Sequence, residues 1–96
     1  MMDEQLAAFE RVAREAVNIL ESYQLKTPKL KVLSDGKLGG YWRCGKVYVT
    51  VEFEEDGEHV WTVSDGRNYI SGTWDVKNRP PVELVMFANI CESDND

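Results

Sequence analysis

The sequence has few of the residues that build chemical sites: one histidine, His59, and two cysteines, Cys44 and Cys91. It lacks a glycine-rich phosphate loop, a nucleophile elbow, a Cys-x-x-Cys pair and a His-Glu-x-x-His motif, which excludes the enzyme and zinc classes that those motifs mark. Two cysteines so far apart are not a disulfide framework, so we expect two small buried thiols. Nothing in the spacing supports His59 as a base for Cys44. We therefore expect a surface histidine, no enzyme and no cofactor.

Long apolar runs are also missing, because none approaches the ~20 residues that a membrane-spanning helix needs. The first five residues, Met-Met-Asp-Glu-Gln, lack the basic-then-apolar order of a secretory signal, which makes the cytoplasm the expected location. The net charge of −6 disfavours direct binding to nucleic acid or to an anionic membrane, since both attract cations. A basic protein partner is compatible with this charge.

A single α+β domain is predicted over residues 1–91, with 92–96 as a disordered acidic tail. A first helix is expected from Asp3 to Gln24, because apolar residues recur at spacings of three and four: Leu6, Phe9, Ala13, Ala16, Leu20 and Tyr23. Thr27-Pro28 is expected to end this helix, since the residue before a proline avoids helical geometry.

A three- to four-stranded antiparallel meander is predicted after the helix. Its first strand is a short one from Lys29 to Ser34. A loop bracketed by Asp35-Gly36 and Gly39-Gly40 follows, and then a long strand from Tyr41 to Phe53 that bends at Gly45.

The next turns can be predicted from register. A three-residue loop, Glu55-Asp56-Gly57, sets Val51 opposite Trp61 and places glycine where a positive φ is needed. A two-residue turn at Asp65-Gly66 would set Ile70 beside Trp61. Both choices collect the apolar residues on one face of the sheet, and we expect the helices to pack on that face.

The opposite face of the sheet should be polar enough for water. It would carry Tyr48, Thr50, Glu52, Val60, Thr62, Ser64, Tyr69, Ser71 and Thr73. A short C-terminal helix should begin at Pro80-Pro81 and run to Cys91, with a strand as the alternative. Because this helix is apolar nearly all round, it should be well buried or face a partner.

Charge is segregated along the chain. Residues 22–51 hold six bases and one acid, whereas residues 52–65 hold six acids and no base: Glu52, Glu54, Glu55, Asp56, Glu58 and Asp65. These acids either form a solvated turn that discourages edge-to-edge aggregation, or form an acidic hairpin tip that binds a cationic groove of a partner protein. The second interpretation makes the six acids the candidate partner-binding residues.

In size, acidity and helix–meander–helix order, the chain resembles small phage-encoded inhibitors, including anti-CRISPR and other DNA-mimic proteins. The resemblance covers the profile of the whole chain and carries no signature motif, so no family residue is transferred. It implies a non-enzymatic inhibitor or regulator whose acidic hairpin binds a basic protein, such as a nucleic-acid-binding factor.

Three alternatives stay open. The first is a protein-binding or dimerising module that uses the second helix, for instance as a homodimer, or the polar sheet face through Tyr48, Thr50, Thr62, Tyr69 and Thr73. The second is a stacking platform for single-stranded nucleic acid, built from the bases Lys29, Lys31, Arg43 and Lys46 beside Tyr41 and Trp42. The third is a metal site. Glu54, Glu55, Asp56 and Glu58 offer oxygen ligands but lack EF-hand order. A loose resemblance to frataxin-like iron-binding proteins would instead implicate the acids of the first helix, where Glu10 and Glu15 are interspersed with Arg11 and Arg14, so we expect no metal.

Overall fold

The computed structural model describes residues 2–93, with side chains over 7–91. Two helices and five strands follow one another along the chain: α1 Met2–Ser22, β1 Lys29–Val32, β2 Leu38–Cys44, β3 Val47–Glu52, β4 Glu58–Ser64, β5 Tyr69–Asp75 and α2 Val82–Ser93. The predicted α+β class is confirmed, with one strand more than the upper prediction. The last three residues of the expected tail, 94–96, lie outside the described residues.

The first helix ends two residues before the predicted boundary, through its own backbone. The N–H groups of Gln24 and Leu25 donate to the carbonyls of Glu21 and Leu20, and Gln24 takes a positive φ of 67°. This pattern is a Schellman motif, which satisfies carbonyls that a helix end leaves unpaired. Thr27-Pro28 therefore lies at the end of the connection, directly before β1, and does not terminate the helix.

The sheet is a fully antiparallel meander in the order β1-β2-β3-β4-β5. The predicted single strand from Tyr41 to Phe53 was wrong, because a tight turn at Gly45-Lys46 divides it into β2 and β3 and pairs Cys44 with Val47. Gly45 has a φ of 56°, which a glycine adopts without the steric cost of a side chain. The segment is thus a hairpin.

Gly39 and Gly40 lie inside β2, although the sequence placed them in a loop. A Cβ on Gly40 would stand 3.3 Å from the Pro28 ring and 3.4 Å from Phe53. Close packing against the sheet, and not a turn, therefore explains this glycine.

The register of the central hairpin agrees with the prediction. Val51 lies opposite Trp61, and Val49 lies opposite Val63. The predicted two-residue turn after β4 was wrong: Ser64 pairs with Tyr69, so the connection has four residues, Asp65 to Asn68. This shift of two positions keeps every side chain on its predicted face.

The shifted register has a packing reason. It sets Gly72 opposite Trp61, whereas the predicted turn would have put Ile70 there. A Cβ on Gly72 would approach the Trp61 indole to 3.1 Å, so the absence of a side chain makes room for the ring. Both helices pack on this apolar face, as predicted, and bury the core.

The two cysteines form a disulfide that ties α2 to the end of β2, with 5.1 Å between the Cα atoms of Cys44 and Cys91. The expectation of two free thiols was therefore wrong. Sequence spacing did not reveal the pair, because only the packing of α2 across β2, β3 and β4 brings residue 91 to the end of β2.

The C-terminal segment is a helix, so the strand alternative does not apply. Leu84 and Ala88 are fully buried against the sheet. On another side of α2, Val82, Met86 and Ile90 are 74%, 50% and 48% exposed at a spacing of four residues. The core thus covers only part of this apolar helix. Within residues 2–93, neither helix is long and apolar enough to cross a membrane.

Candidate acidic binding surface and the open sheet face

Carboxylates meet at one end of the sheet around a lysine that the sequence did not associate with them. The Nζ atom of Lys37 lies 3.0 Å from Glu54 Oε1, 3.5 Å from Glu52 Oε2 and 4.0 Å from Asp35 Oδ2. Lys37 belongs to the β1–β2 connection, whereas the glutamates belong to β3 and the segment after it. The ion pairs therefore fasten two neighbouring turns to each other.

The electrostatics of this cluster follow from its partial burial. Burial raises the pKa of Glu52, the nearby Glu54 carboxylate raises it further, and Lys37 lowers it. The hydrogen bond to Glu54 raises the pKa of Lys37, because it favours the charged ammonium. Glu52 and Glu54 are therefore half-buried acids with an internal partner, and they are less available to a partner protein than the sequence suggested.

The tip of the turn carries the exposed acids. Glu55, Asp56 and Glu58 are all exposed, and Gly57 has a φ of 86°. An Asp56 Oδ1 atom accepts the Glu58 N–H at 2.9 Å, and the Gly57 N–H donates to the Glu54 carbonyl at 3.1 Å. These bonds fix the turn while its charges face solvent. On the neighbouring strand, Asp75 pairs in register with Glu58 and adds a further carboxylate.

His59 lies beneath this turn in the core, so the expected surface histidine was wrong. Its Nδ1 accepts the Glu54 N–H at 2.9 Å, and its ring meets Phe53 and Trp74 edge-on at centroid distances of 5.3 and 5.9 Å. Burial lowers the pKa of His59 more than the surrounding carboxylates raise it. Cys44 lies in a disulfide at the end of β2, so no described thiol is available for a pair with His59.

Asp65 does not belong to the acidic cluster. It follows β4, whereas Glu58 begins that strand, which separates the two by roughly 20 Å. Asp65 Oδ1 accepts the N–H groups of Arg67 and Asn68 at 2.9 Å, and these bonds lower the pKa of its carboxyl. Arg43, Lys46 and Arg67 line a groove of about 720 Å³ at this end of the sheet, where they outnumber the one acid of its lining, Asp65. The sheet thus has an acidic end and a basic end.

The alternative site residues share the open face of the sheet. Thr50 pairs with Thr62, and Ser64 lies between Tyr48 and Tyr69, while Thr73 pairs with Val60. The register therefore brings Tyr48, Thr50, Thr62, Tyr69 and Thr73 onto one polar surface, as the sequence predicted.

Cations and aromatic rings also meet on this face, but the aromatic pair differs from the one considered for a stacking platform. Trp42 is buried and donates its indole N–H to the Lys26 carbonyl at 2.7 Å. Tyr48 stands beside Tyr41 instead, with ring centroids 5.9 Å apart. Lys31 Nζ donates to the Tyr48 hydroxyl at 2.9 Å and lies over both rings. The rings of Tyr41 and Tyr48 are therefore already in contact with a cation of the same chain.

No family model, curated protein or solved structure matches the chain. The resemblance to phage-encoded inhibitors therefore stays a prediction. Among the described residues, no group of three or more His, Cys, Asp or Glu side chains is placed to hold a metal ion.

Proposed function

We propose that this protein is a non-enzymatic inhibitor or regulator that binds a basic protein through the acidic end of its sheet. The convergence of carboxylates from separate segments at that end carries this proposal: Asp35, Glu52, Glu54, Glu55, Asp56, Glu58 and Asp75. Lysines and arginines of a nucleic-acid-binding groove respond to negative charge and its spacing. Carboxylates on a rigid turn can occupy such a groove in place of phosphates.

The acids at this end of the sheet have two different roles. Glu52 and Glu54 pair with Lys37 and hold the turns together. Glu55, Asp56 and Glu58 are exposed on a turn whose backbone is already hydrogen-bonded, so binding requires little ordering of the backbone. A preorganised surface binds more tightly than a flexible acidic segment of equal charge, because less conformational entropy is lost.

The basic end of the sheet supports the proposal, because the two oppositely charged ends would orient a cationic partner. Arg43, Lys46 and Arg67 lie at the end of the sheet away from the exposed acids. A cationic partner is therefore attracted to one end and repelled from the other, and complementary potentials of this kind raise association rates and fix register.

A phage or mobile-element origin and a cytoplasmic location are parts of the proposal and do not follow from the fold. An inhibitor of phage or mobile-element type would act on a host factor in the cytoplasm, as the sequence predicts. The Cys44–Cys91 disulfide weighs against that location, because disulfides are rare in reducing compartments.

The test is capture of a partner from a bacterial lysate, followed by a binding titration with the purified partner. The variant Glu55→Gln, Asp56→Asn, Glu58→Gln should lose binding, whereas Glu10→Gln, Glu15→Gln, Glu83→Gln removes the same charge from exposed helical positions and should retain it. Equal binding by both triple variants would contradict the proposal.

A second candidate function is self-association through α2. The exposed row Val82, Met86 and Ile90 favours it, because a continuous apolar row on a helix commonly faces a partner. Two copies can bury this row against each other. Such a homodimer would leave the open face of the sheet free, since α2 packs on the other face of the sheet from Tyr48 and Tyr69.

A further inference from the structure

The first strand forms one edge of the sheet and presents apolar side chains to solvent. Within the described residues β1 pairs only with β2. Leu30 and Val32 are 55% and 66% exposed, although they lie on the same side as the core. Their positions opposite Gly40 and the buried Leu38 establish that side, because directly paired residues share a face.

The backbone of the same two residues faces the free edge. The Leu33 N–H donates to the Lys37 carbonyl at 2.7 Å, so residue 33 directs its polar groups toward β2. In an antiparallel ladder this direction alternates from residue to residue. The N–H and C=O groups of Leu30 and Val32 therefore point away from β2 and can pair with another strand.

A groove runs beside this edge, between β1 and α1. It has a volume of about 610 Å³ and a mostly apolar lining of Ala13, Val17, Pro28, Leu30, Val32 and Leu38, which Glu10, Arg14, Thr27 and Lys31 complete. An added strand would direct every second side chain into this groove, since side chains alternate between the two faces of a sheet.

The other side chains of an added strand would meet positive charge. Lys29 and Lys31 lie on the open face of β1, opposite Tyr41 and Gly39. Both side chains are exposed, and Lys31 also donates to the Tyr48 hydroxyl, so Lys29 is the lysine without a described side-chain bond. Acidic residues at the intervening positions of the added strand are complementary to these lysines. A second copy of β1 is a poor occupant, because antiparallel pairing of two such strands sets lysines against lysines on one face, and like charges placed opposite destabilise a sheet.

We propose that β1 accepts an extended segment of a partner protein as a sixth strand, in which apolar residues alternate with acidic residues. Backbone hydrogen bonds to Leu30 and Val32 supply affinity, while the groove and the lysines select the alternating pattern. This site lies apart from the acidic tip at Glu55–Glu58, so it does not depend on the function proposed above.

The test uses a fluorescein-labelled nine-residue peptide of alternating valine and glutamate and measures its fluorescence anisotropy against the full chain. A peptide of the same composition with its valines in one block is the first control. A second control carries N-methyl groups on the backbone amides of alternate residues, in both phases, which removes main-chain donors. Binding of the alternating peptide should exceed that of each control by at least about tenfold, since one backbone hydrogen bond is worth nearly that factor.

Protein variants locate the site. Val32→Glu and the pair Lys29→Glu, Lys31→Glu should each weaken binding at least about tenfold, whereas Tyr69→Ala at the opposite edge should leave it unchanged. Val32 and Lys29 are exposed, so circular dichroism should show an intact fold. The proposal is overturned if the alternating peptide fails to bind, if N-methylation has no effect, or if Val32→Glu binds like the parent. A dimer of the free chain that Val32→Glu dissociates would also overturn it, in favour of self-pairing.

Discussion

The buried imidazole of His59 accepts a hydrogen bond at Nδ1 from the backbone N–H of Glu54, at 2.9 Å. The start of the acidic turn is therefore anchored to the core. Because Nδ1 is the acceptor, the ring proton lies on Nε2, which is buried without a hydrogen-bond partner in the described part of the chain. A proton on Nδ1 would face the Glu54 N–H donor to donor, so the charged ring is incompatible with this turn.

This relationship predicts how stability depends on pH. Burial lowers the pKa of His59 in the folded protein below 6.5, the ordinary histidine value. The unfolded chain then binds the proton more readily, so the free energy of unfolding should be highest above that pH and should fall as the pH drops below it. Urea unfolding at a series of pH values measures the slope. His59→Gln should flatten the slope of the free energy of unfolding against pH between pH ~7 and ~5.5, where most carboxylates stay ionised. If the slope is unchanged in this variant, groups other than His59 cause it.

Trp61 is central to the core because Gly72 makes room for its ring. We expect Trp61→Ala to lower the free energy of unfolding by about 3–5 kcal/mol, since it removes a large buried side chain and leaves a cavity. Tyr69→Ala is the matched control, because Tyr69 is 72% exposed on the other face of the sheet. A change below about 1 kcal/mol for Trp61→Ala in denaturant unfolding would contradict the assigned faces.

The central hairpin could be predicted because only one loop length aligns its apolar residues. The β2–β3 turn could have been predicted by the same reasoning. Trp42 and Cys44 face the core at even positions, whereas Val47 and Val49 face it at odd positions. A single strand cannot change parity without a bulge, so this switch marks the two-residue turn at Gly45-Lys46. The prediction instead treated the alternation from Val47 to Phe53 as a continuation of Tyr41.

The candidate site could be predicted only in part. The run from Glu52 to Glu58 is visible in sequence, because those acids share one hairpin. Lys37 joins them only because the β1–β2 register places its turn beside Glu54, 17 residues away. The burial of His59 likewise depends on its pairing with Trp74 across β4 and β5. Contacts of this kind come from tertiary packing, which local composition does not encode.

The disulfide predicts sensitivity to reduction. Cys44 and Cys91 are 47 residues apart, and closing a loop of this size restricts the unfolded chain by an amount worth about 4 kcal/mol in the loop-entropy model. We therefore expect dithiothreitol to lower the free energy of unfolding by about 2–4 kcal/mol. The pair Cys44→Ala, Cys91→Ala should be less stable than the oxidised parent and indifferent to reductant. Equal stability of the oxidised and reduced parent would show that the link contributes nothing.

The exposed row on α2 predicts a concentration-dependent dimer. Sedimentation velocity should show dimers of the parent, and Met86→Glu should dissociate them, because a charge at the centre of the row would lose its hydration in the interface. Ser71→Glu adds the same charge at an exposed position on β5 and should leave the dimer intact. A parent that stays monomeric at high concentration would remove the second candidate function.

The acidic end predicts binding that weakens steeply with salt. Exposed charges act over about 8 Å near physiological ionic strength, and this reach shortens as salt is added. The affinity of the parent for its captured partner should therefore fall as the salt concentration rises, and the variant neutralised at Glu55, Asp56 and Glu58 should show neither the affinity nor the slope. Its fold should survive, because removing like charges from an exposed turn relieves repulsion.

Binding through the open sheet face predicts the reverse: little dependence on salt, tolerance of the neutralised turn, and loss of binding in Tyr48→Ala and Tyr69→Ala. One titration series over both sets of variants separates the two surfaces, and a neutralised turn that binds as tightly as the parent would rule out the acidic end as the binding site.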